Sequence, residues 1–235
     1  MIRIKEVTVQ FGAVRPLDNL SANLTANIVG LIGPNGAGKT TLLNVMSGFV
    51  KSSNGVVEVD GVDILRLSAA ERVHGGLRRT FQTEQIADDL TAWENVLSLL
   101  DQVPRGEEGS GVQVEHALQY VGLASVAQTL GAALNLFERR MVEIAKALVG
   151  DPRIILMDEP GAGLNEIESK VLRERILGIY PAFGAQVILI DHDVDLIAAT
   201  CAETLALDFG RKLALGSTRE VLDDPVVRAA YLGTA

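Results

Sequence analysis

The eight residues from Gly33 to Thr40 combine three glycines with a lysine and a threonine in the spacing G-x-x-x-x-G-K-T. Glycine lets the backbone curl so that successive N–H groups point at one anion, and a helix that begins there adds its positive end. In such a loop the lysine would reach the outer phosphates of a nucleotide, and the hydroxyl would help to hold Mg²⁺. The candidate binding residues are Gly33, Pro34, Asn35, Gly36, Ala37, Gly38, Lys39, Thr40 and Thr41.

The flanks of this run have the patterns that a phosphate-binding loop needs. Residues 27–32 are typical of a buried strand, and residues 41–46 are typical of a helix. A glycine-rich turn that merely precedes a helix is the alternative interpretation. Because strand, loop and helix follow in the required order, the sequence favours nucleotide binding.

A second candidate site lies where another apolar strand ends. Residues 153–157 are almost continuously apolar, as expected for a strand of a parallel sheet buried on both faces. Asp158 follows this strand, where a P-loop ATPase places the aspartate that holds Mg²⁺, and Glu159 could orient the attacking water. A solvated turn ending at Pro160 is the alternative. The agreement between position and chemistry favours the catalytic interpretation.

Three further residues carry weaker signals. His192 comes just after the apolar segment 186–190, where it could bond a phosphate or a water, or could only cap a helix or bond a nearby group. Gln82 ends a short predicted strand at 78–82 and, taken alone, is an ordinary surface glutamine. Phe11 could stack on adenine or cap the core, and the local pattern favours the core. Ligands bind outside the carboxyl ends of parallel strands, so the convergence of several strand ends carries the argument.

Composition limits the class of protein. The 235 residues, 48% of them hydrophobic, suffice for one sizeable core or a core with a smaller lobe. The net charge of −9 argues against a main role on nucleic acid, although it leaves room for a local basic patch. One cysteine, Cys201, allows no intramolecular disulfide and suits a reducing compartment. Without a signal peptide or an apolar run of about 20 residues, we expect any membrane span to come from another chain.

The order of predicted elements indicates an α/β fold with a helical insert. Two strands at 1–10 and 20–24 precede the glycine-rich loop, and Asn54-Gly55 indicates a hairpin before a strand at 55–61. Ser68 and Glu71 have the spacing of a capping box. The remaining predictions are helices at 92–101, 112–122, 137–149, 165–179 and 194–200, a loop at 103–111, strands at 186–190, 203–208 and 211–215, and two short C-terminal helices.

With these motifs in place, the chain resembles the ATP-binding subunits of ABC transporters along nearly its whole length. The resemblance rests on Phe11, residues 33–41, Gln82, residues 154–159, residues 161–165 and His192. It implies that Phe11 stacks on adenine, that Thr40, Gln82 and Asp158 arrange Mg²⁺, and that His192 senses the γ-phosphate. Gln82, Glu159 and His192 would form the catalytic set, with ATP and Mg²⁺ as cofactors.

The resemblance also implies an architecture and partners. The fold would be an α/β P-loop NTPase core with a mostly parallel sheet, an N-terminal antiparallel β subdomain and a helical insert. Residues 1–235 would form one ATPase domain, with its core at 1–83 and 150–235 and its helical subdomain at 84–149. Two such domains would close head to tail on two ATP molecules. A separate membrane permease would hold the chain at the cytoplasmic face of the inner or plasma membrane.

Finer cues lie at residues 79–82, 158–165, 191–196 and 224–233, which are similar to ATPases of branched-chain amino-acid importers. That subfamily also serves amides, urea and related small solutes. A periplasmic or extracellular solute-binding protein would be an indirect partner, and nucleic acid would not be one. A soluble ABC-type clamp or regulator is the rival interpretation, which the single ATPase unit and the acidic charge disfavour. A binding module without catalysis is opposed by Glu159 and His192.

One segment departs from the family. Residues 134–138 read Leu-Asn-Leu-Phe-Glu where the signature that faces the opposite subunit's nucleotide is usually close to Leu-Ser-Gly-Gly-Gln. Asn135 would still cap the following helix, but Phe137 would hinder the close backbone approach that glycine permits. We therefore expect this chain to pair with a different ATPase subunit that carries an intact signature, with a homodimer as the alternative.

Overall fold

The computed structural model describes residues 1–103 and 109–232. The predicted loop at 103–111 therefore lies partly outside the described residues, as does Gly233 of the C-terminal cue. The described chain divides into two units, Met1–Arg72 with Gln186–Ala235 as far as it is described, and Val73–Ala185. The core and helical-insert boundaries expected from sequence remain a prediction.

Strands and helices are numbered here in chain order. They are β1 (Ile2–Phe11), β2 (Val14–Leu24), β3 (Ile28–Ile32), α1 (Lys39–Ser47), β4 (Asn54–Val59), β5 (Val62–Asp63), α2 (Ala69–His74), β6 (Leu77–Arg79), α3 (Ala92–Leu100), α4 (Ser110–Val121), α5 (Leu136–Leu148), β7 (Ile154–Asp158), α6 (Glu166–Phe183), β8 (Gln186–Ile190), α7 (Val194–Thr200), β9 (Glu203–Asp208), β10 (Arg211–Ser217), α8 (Thr218–Asp223) and α9 (Pro225–Val227). A π-helical turn, Arg228–Leu232, follows α9.

An antiparallel sheet of four strands, in the order β2-β1-β4-β5, forms one part of the first unit. The hairpin predicted at Asn54-Gly55 is wrong, because both residues lie inside β4. The turn that joins β4 to β5 lies at Asp60 and Gly61, which have φ angles of 49° and 84°. Gly55 serves close strand contact instead, since an added Cβ would lie 2.6 Å from backbone atoms of Lys5.

The second sheet of this unit places the phosphate-loop candidate. Strand β3 pairs in parallel with both β8 and β9, and β9 pairs antiparallel with β10. Every residue of β3 and β8 is buried, as the continuous apolar patterns predicted. Because β3 and β8 run in the same direction, Gly33 and His192 follow strand ends at one edge of this sheet.

The second unit combines a parallel strand pair, β6 and β7, with the helices α3 to α6. Capping boxes begin α3 at Thr91, α5 at Asn135 and α6 at Asn165. Residues three apart in the chain therefore determine where these helices start. Strand β6 ends at Arg79, earlier than the predicted end at Gln82. Among the helices of the described residues, none has the length and apolarity needed to cross a bilayer.

Candidate functional site

The backbone of the loop after β3 requires glycine at two positions. Gly33 and Gly38 have φ angles of 147° and 104°, in the region that side chains rarely adopt. A Cβ on Gly33 would lie 2.2 Å from the carbonyl oxygen of Leu207, and one on Gly38 would lie 2.2 Å from that of Pro16. The loop therefore lies close against β9 and β2. Its backbone can follow this path only because Gly33 and Gly38 have no side chain.

Lys39 lies at the start of α1, and only 7% of the residue is exposed. Its Nζ donates to the carbonyl oxygens of Gly33, at 2.6 Å, and Pro34, at 3.0 Å, so the charge is held across the loop. The first turn of α1 has no acidic residue, and Gly38 makes no side-chain cap. The start of α1 therefore combines the positive end of a helix with an ammonium group, and both attract an anion.

Two aromatic side chains of the first unit are exposed at the ends of strands. Phe11, at the end of β1, is 56% exposed, so the core position that the local pattern favoured is wrong and the adenine-stacking role remains a prediction. Phe209 is 84% exposed and has a φ of 43°. The next residue, Gly210, donates its N–H to the carbonyl of Ala37 at 3.0 Å. Sequence reasoning missed Phe209, although an aromatic residue before glycine between two strands was visible.

His192 is an exposed residue just beyond β8. The cap of α7 is supplied by Asp193, whose Oδ1 accepts the N–H groups of Asp195 and Leu196. A helix-capping role for His192 is therefore wrong. Its placement after β8, beside the strand that leads into the glycine-rich loop, is consistent with a phosphate-sensing role, which remains a prediction.

In the second unit, Asp158 is the last residue of β7 and pairs with an arginine that sequence reasoning gave no role. Arg79 Nη2 lies 3.2 Å from Asp158 Oδ2, and both side chains are 7% exposed. The guanidinium also lies 4.9 Å from the centre of the Phe81 ring. Burial lowers the pKa of Arg79, and the charge of Asp158 opposes that change. The ion pair fixes the aspartate carboxylate at the strand end.

Glu159 follows Asp158 with a φ of 54°, a left-handed backbone conformation that lies outside the strand. Its Oε2 accepts a hydrogen bond of 2.8 Å from Gln82 Nε2. The structure therefore brings Gln82 and Glu159 together, with Asp158 adjacent in the chain. Since Nε2 of Gln82 is the donor, the amide oxygen is the atom that this side chain can offer to a cation.

The proposed magnesium donors have suitable chemistry. A carboxylate, a hydroxyl and an amide oxygen are the hard oxygen ligands that Mg²⁺ prefers, together with phosphate and water. No group of three or more His, Cys, Asp or Glu side chains within the described ranges could hold a metal by itself. That Thr40, Asp158 and Gln82 arrange Mg²⁺ together with a nucleotide therefore remains a prediction.

The altered signature forms a closed capping box. Asn135 Oδ1 accepts the Glu138 N–H at 2.9 Å, and Glu138 Oε2 accepts the Asn135 N–H at 2.9 Å. The predicted capping role of Asn135 is therefore confirmed. The Glu138 carboxylate lies at the positive end of α5, where it would repel a phosphate. Leu136 is 44% exposed in the first turn, so the start of α5 differs in chemistry from the uncapped start of α1.

Comparison with known proteins agrees with these features. Residues 17–162 match the family model described as ABC transporter, which covers more than half of the chain. The chain belongs to this family, and it is the ATP-hydrolysing subunit of a transporter. Residues 211–235 match a second model, described as Branched-chain amino acid ATP-binding cassette transporter.

Two curated relatives illustrate the range of the similarity. The chain is 38% identical over 209 residues to the lipopolysaccharide export system ATP-binding protein LptB of Acidithiobacillus ferridurans, covering 89% of this chain and 86% of that protein. It is 31% identical over 251 residues to the high-affinity branched-chain amino acid transport ATP-binding protein BraF of Pseudomonas aeruginosa, covering 100% and 98%.

Solved structures confirm the predicted fold. The ADP conformation of MJ1267, an ATP-binding cassette of an ABC transporter, matches with a TM-score of 0.86 and 28% identity, over 100% of this chain and 99% of that chain. The predicted P-loop ATPase fold, with an antiparallel β subdomain and mostly parallel strand pairing elsewhere, is confirmed. Assignment to a transporter replaces the rival interpretation of a soluble clamp.

Proposed function

We propose that this chain hydrolyses ATP to drive the import of branched-chain amino acids or related small solutes through a separate membrane permease. The observation that carries the proposal is the match of residues 211–235 to the model described as Branched-chain amino acid ATP-binding cassette transporter. Similarity to BraF over the full length of the chain supports it. The chain would bind peripherally at the cytoplasmic side of the permease, and a solute-binding protein outside would be an indirect partner.

The chain's own residues account for the hydrolysis of ATP. The amides of the loop from Gly33 and the ammonium of Lys39 bind the phosphates, while Phe11 offers an aromatic face to adenine. Glu159 orients the attacking water for in-line displacement, and His192 donates a hydrogen bond to the γ-phosphate.

Thr40, Gln82 and Asp158 would hold Mg²⁺, which would supply positive charge against the charge that develops on the phosphates.

The contrast between α1 and α5 supports the proposal that this chain pairs with a different ATPase subunit. Helix α1 leaves its first turn open to an anion, whereas α5 closes its own with Asn135 and the Glu138 carboxylate. In a head-to-tail pair, the nucleotide bound by this chain would meet the partner's signature. The nucleotide bound by the partner would meet the closed start of α5, and that site would turn over slowly.

Pairing is tested by the ATPase rate per chain at increasing concentrations of the purified chain, with Glu159→Gln as control. We expect bound ATP without hydrolysis above the control, because the intact signature must come from another subunit. A rate that climbs with concentration would establish a working homodimer instead. In the heterodimer, Asn135→Ser combined with Phe137→Gly should raise turnover, and unchanged turnover would contradict the role given to the signature.

The transported solute is tested in vesicles that contain the chain, its permease and internal ATP. We expect accumulation of labelled leucine, isoleucine or valine in the presence of a solute-binding protein, and none with Glu159→Gln. Accumulation of an amide or urea, without any branched-chain amino acid, would assign a different solute within the same subfamily. The similarity to LptB favours a second candidate, export of a lipid-linked saccharide, and extraction of lipopolysaccharide without solute uptake would support that function instead.

A further inference from the structure

The loop at residues 81–85, which follows β6, has no helical or strand structure of its own. Its backbone polar groups are taken up by side chains of α5. Arg140 Nη1 donates to the carbonyl oxygens of Phe81, at 3.0 Å, and Gln82, at 3.3 Å, and its Nη2 donates to that of Gln82 at 3.2 Å. One guanidinium therefore holds two successive carbonyls of the loop.

Two more residues of α5 hold the same loop. Glu143 Oε1 accepts the N–H of Phe81 at 2.9 Å. Lys146 Nζ donates to the carbonyl oxygen of Gln85 at 2.6 Å. Residues three apart on a helix share one side, so Arg140, Glu143 and Lys146 present a continuous polar edge to the loop.

Two of these three side chains are buried. Arg140 is 2% exposed and Glu143 is 3% exposed. Arg140 Nη2 also lies 2.7 Å from Glu84 Oε1, so the guanidinium is shared between a loop carboxylate and the loop backbone. Burying such charges costs several kcal/mol per ion, which only good geometry and further hydrogen bonds offset. The arrangement fixes the loop relative to α5 far more narrowly than an apolar contact would.

The loop carries the residue that contacts the catalytic carboxylate. Gln82, whose carbonyl Arg140 holds, donates its side-chain Nε2 to Glu159 Oε2 at 2.8 Å. Phe81, which Arg140 and Glu143 hold by its carbonyl and its N–H, directly precedes it. A continuous set of contacts thus runs from α5, the helix that begins at the signature segment, to Glu159.

We propose that Arg140 and Glu143 are positioning residues for Gln82 and, through Gln82, for the Glu159 carboxylate. Helix α5 thereby determines where the water-orienting group points. A displacement of this loop by about 1 Å would be enough to lower the rate of hydrolysis strongly. The proposal depends on ATP hydrolysis by the chain and is independent of the transported solute and of the type of dimer.

Hydrogen exchange of the backbone amides at residues 81–85, in the nucleotide-free full chain, tests the contact directly. Glu143→Ala removes the acceptor of the Phe81 N–H, and Arg140→Lys keeps the charge but cannot hold two carbonyls at once. We expect both variants to accelerate exchange in the loop by about tenfold or more, since protection reports local opening. Glu143→Gln keeps an acceptor oxygen and should exchange at nearly the wild-type rate.

Arg78→Lys is the matched control. Arg78 is 3% exposed and donates to the backbone carbonyls of Val73, Val149 and Gly150, but no contact joins it to the loop. This variant should lose stability and still show loop exchange within about twofold of wild type.

Steady-state kinetics of the assembly in which the chain hydrolyses ATP separates positioning from general damage. We expect Glu143→Ala to lower kcat by about tenfold or more, with KM for ATP changed by less than about threefold, because phosphate binding lies with Lys39 and the glycine-rich loop. Glu143→Gln should recover most of kcat. Arg78→Lys, compared per folded molecule, should keep kcat within about twofold.

A double-mutant cycle with Gln82→Ala completes the test. If Arg140 and Glu143 act through Gln82, Glu143→Ala should have little further effect on kcat once Gln82 is truncated. Additive losses of kcat, or loop exchange in Glu143→Ala and Arg140→Lys equal to wild type, would overturn the proposal. If no wild-type assembly hydrolyses ATP, the proposed function is contradicted. The exchange rates then decide by themselves whether Arg140 and Glu143 hold the loop.

Discussion

Gln82 Nε2 donates a hydrogen bond of 2.8 Å to Oε2 of Glu159. The two residues are 77 positions apart in the chain, and each was predicted to act in catalysis. Their direct contact gives the carboxylate that we propose orients water a protein partner on one of its two oxygens. The position of Gln82 therefore affects the geometry of Glu159.

Glu159→Gln should retain ATP binding and lose hydrolysis. The amide keeps the size of the side chain but cannot accept the proton of the attacking water, so we expect kcat of the heterodimer to fall by about 100-fold or more. The dissociation constant for ATP, measured by equilibrium binding, should stay within about threefold of wild type. Near-normal turnover in this variant would remove Glu159 from its catalytic role.

Gly33→Ala and Gly36→Ala should differ in their effect on the free energy of unfolding. At Gly36 a Cβ would meet no atom within 4 Å, so only its φ of 80° opposes alanine, at a cost of about 1–2 kcal/mol. At Gly33 the same Cβ would lie 2.2 Å from the Leu207 carbonyl, and we expect a clearly larger loss in addition to the backbone cost. Urea denaturation measures both, and equal losses would contradict the close approach of the loop to β9.

Removing one partner of the Arg79–Asp158 pair should destabilise the chain more than removing both. Both side chains are buried, so Arg79→Met takes this cation away from the aspartate and should cost about 3–5 kcal/mol. Arg79→Met combined with Asp158→Leu removes both charges and should recover a large part of that loss. Denaturant unfolding of the nucleotide-free chain gives the values. A double variant as unstable as the sum of the two single variants would show that the pair contributes no mutual stabilisation.

The contribution of Glu143 to the free energy of unfolding should fall as the pH rises from about 4.5 to 7. Burial raises the pKa of Glu143 from 4.5 to about 7, against the opposing effects of the Phe81 N–H, Arg140 and the backbone of Gln85, and with a smaller raising effect from Glu84. The folded chain then binds a proton that the unfolded chain releases, so this contribution is fully present below pH 4.5 and is lost as the pH passes through the folded pKa.

The expected size of this contribution is on the order of 3 kcal/mol. Lys146, whose own pKa is lowered by burial, faces the same carboxylate and moderates the effect. Urea midpoints at several pH values measure it, with Glu143→Gln as control because glutamine does not titrate. An identical pH dependence of wild type and Glu143→Gln would contradict the raised pKa.

Much of the site could be predicted from the sequence because interactions between residues close in the chain determine it. The glycines of the phosphate loop, the apolar strands that end at Asp158 and near His192, and the cap at Asn135 depend on near neighbours in the chain. The wrong predictions concern residues whose type has the pattern of a local turn but is needed for a contact with a distant part of the chain. Asn54-Gly55 has the composition of a hairpin, but Gly55 allows β4 to approach β1 closely.

The sequence by itself determined the class of the protein, since the phosphate loop, the carboxylates after β7 and the family resemblance all follow from residue type and spacing. Tertiary structure decided which side chains restrain these groups. Arg79 pairs with Asp158, and Arg140 holds the carbonyl of Gln82, across separations of 79 and 58 residues. No local pattern predicts such partners, because a buried charge pairs with whatever group the packing of distant elements brings within reach.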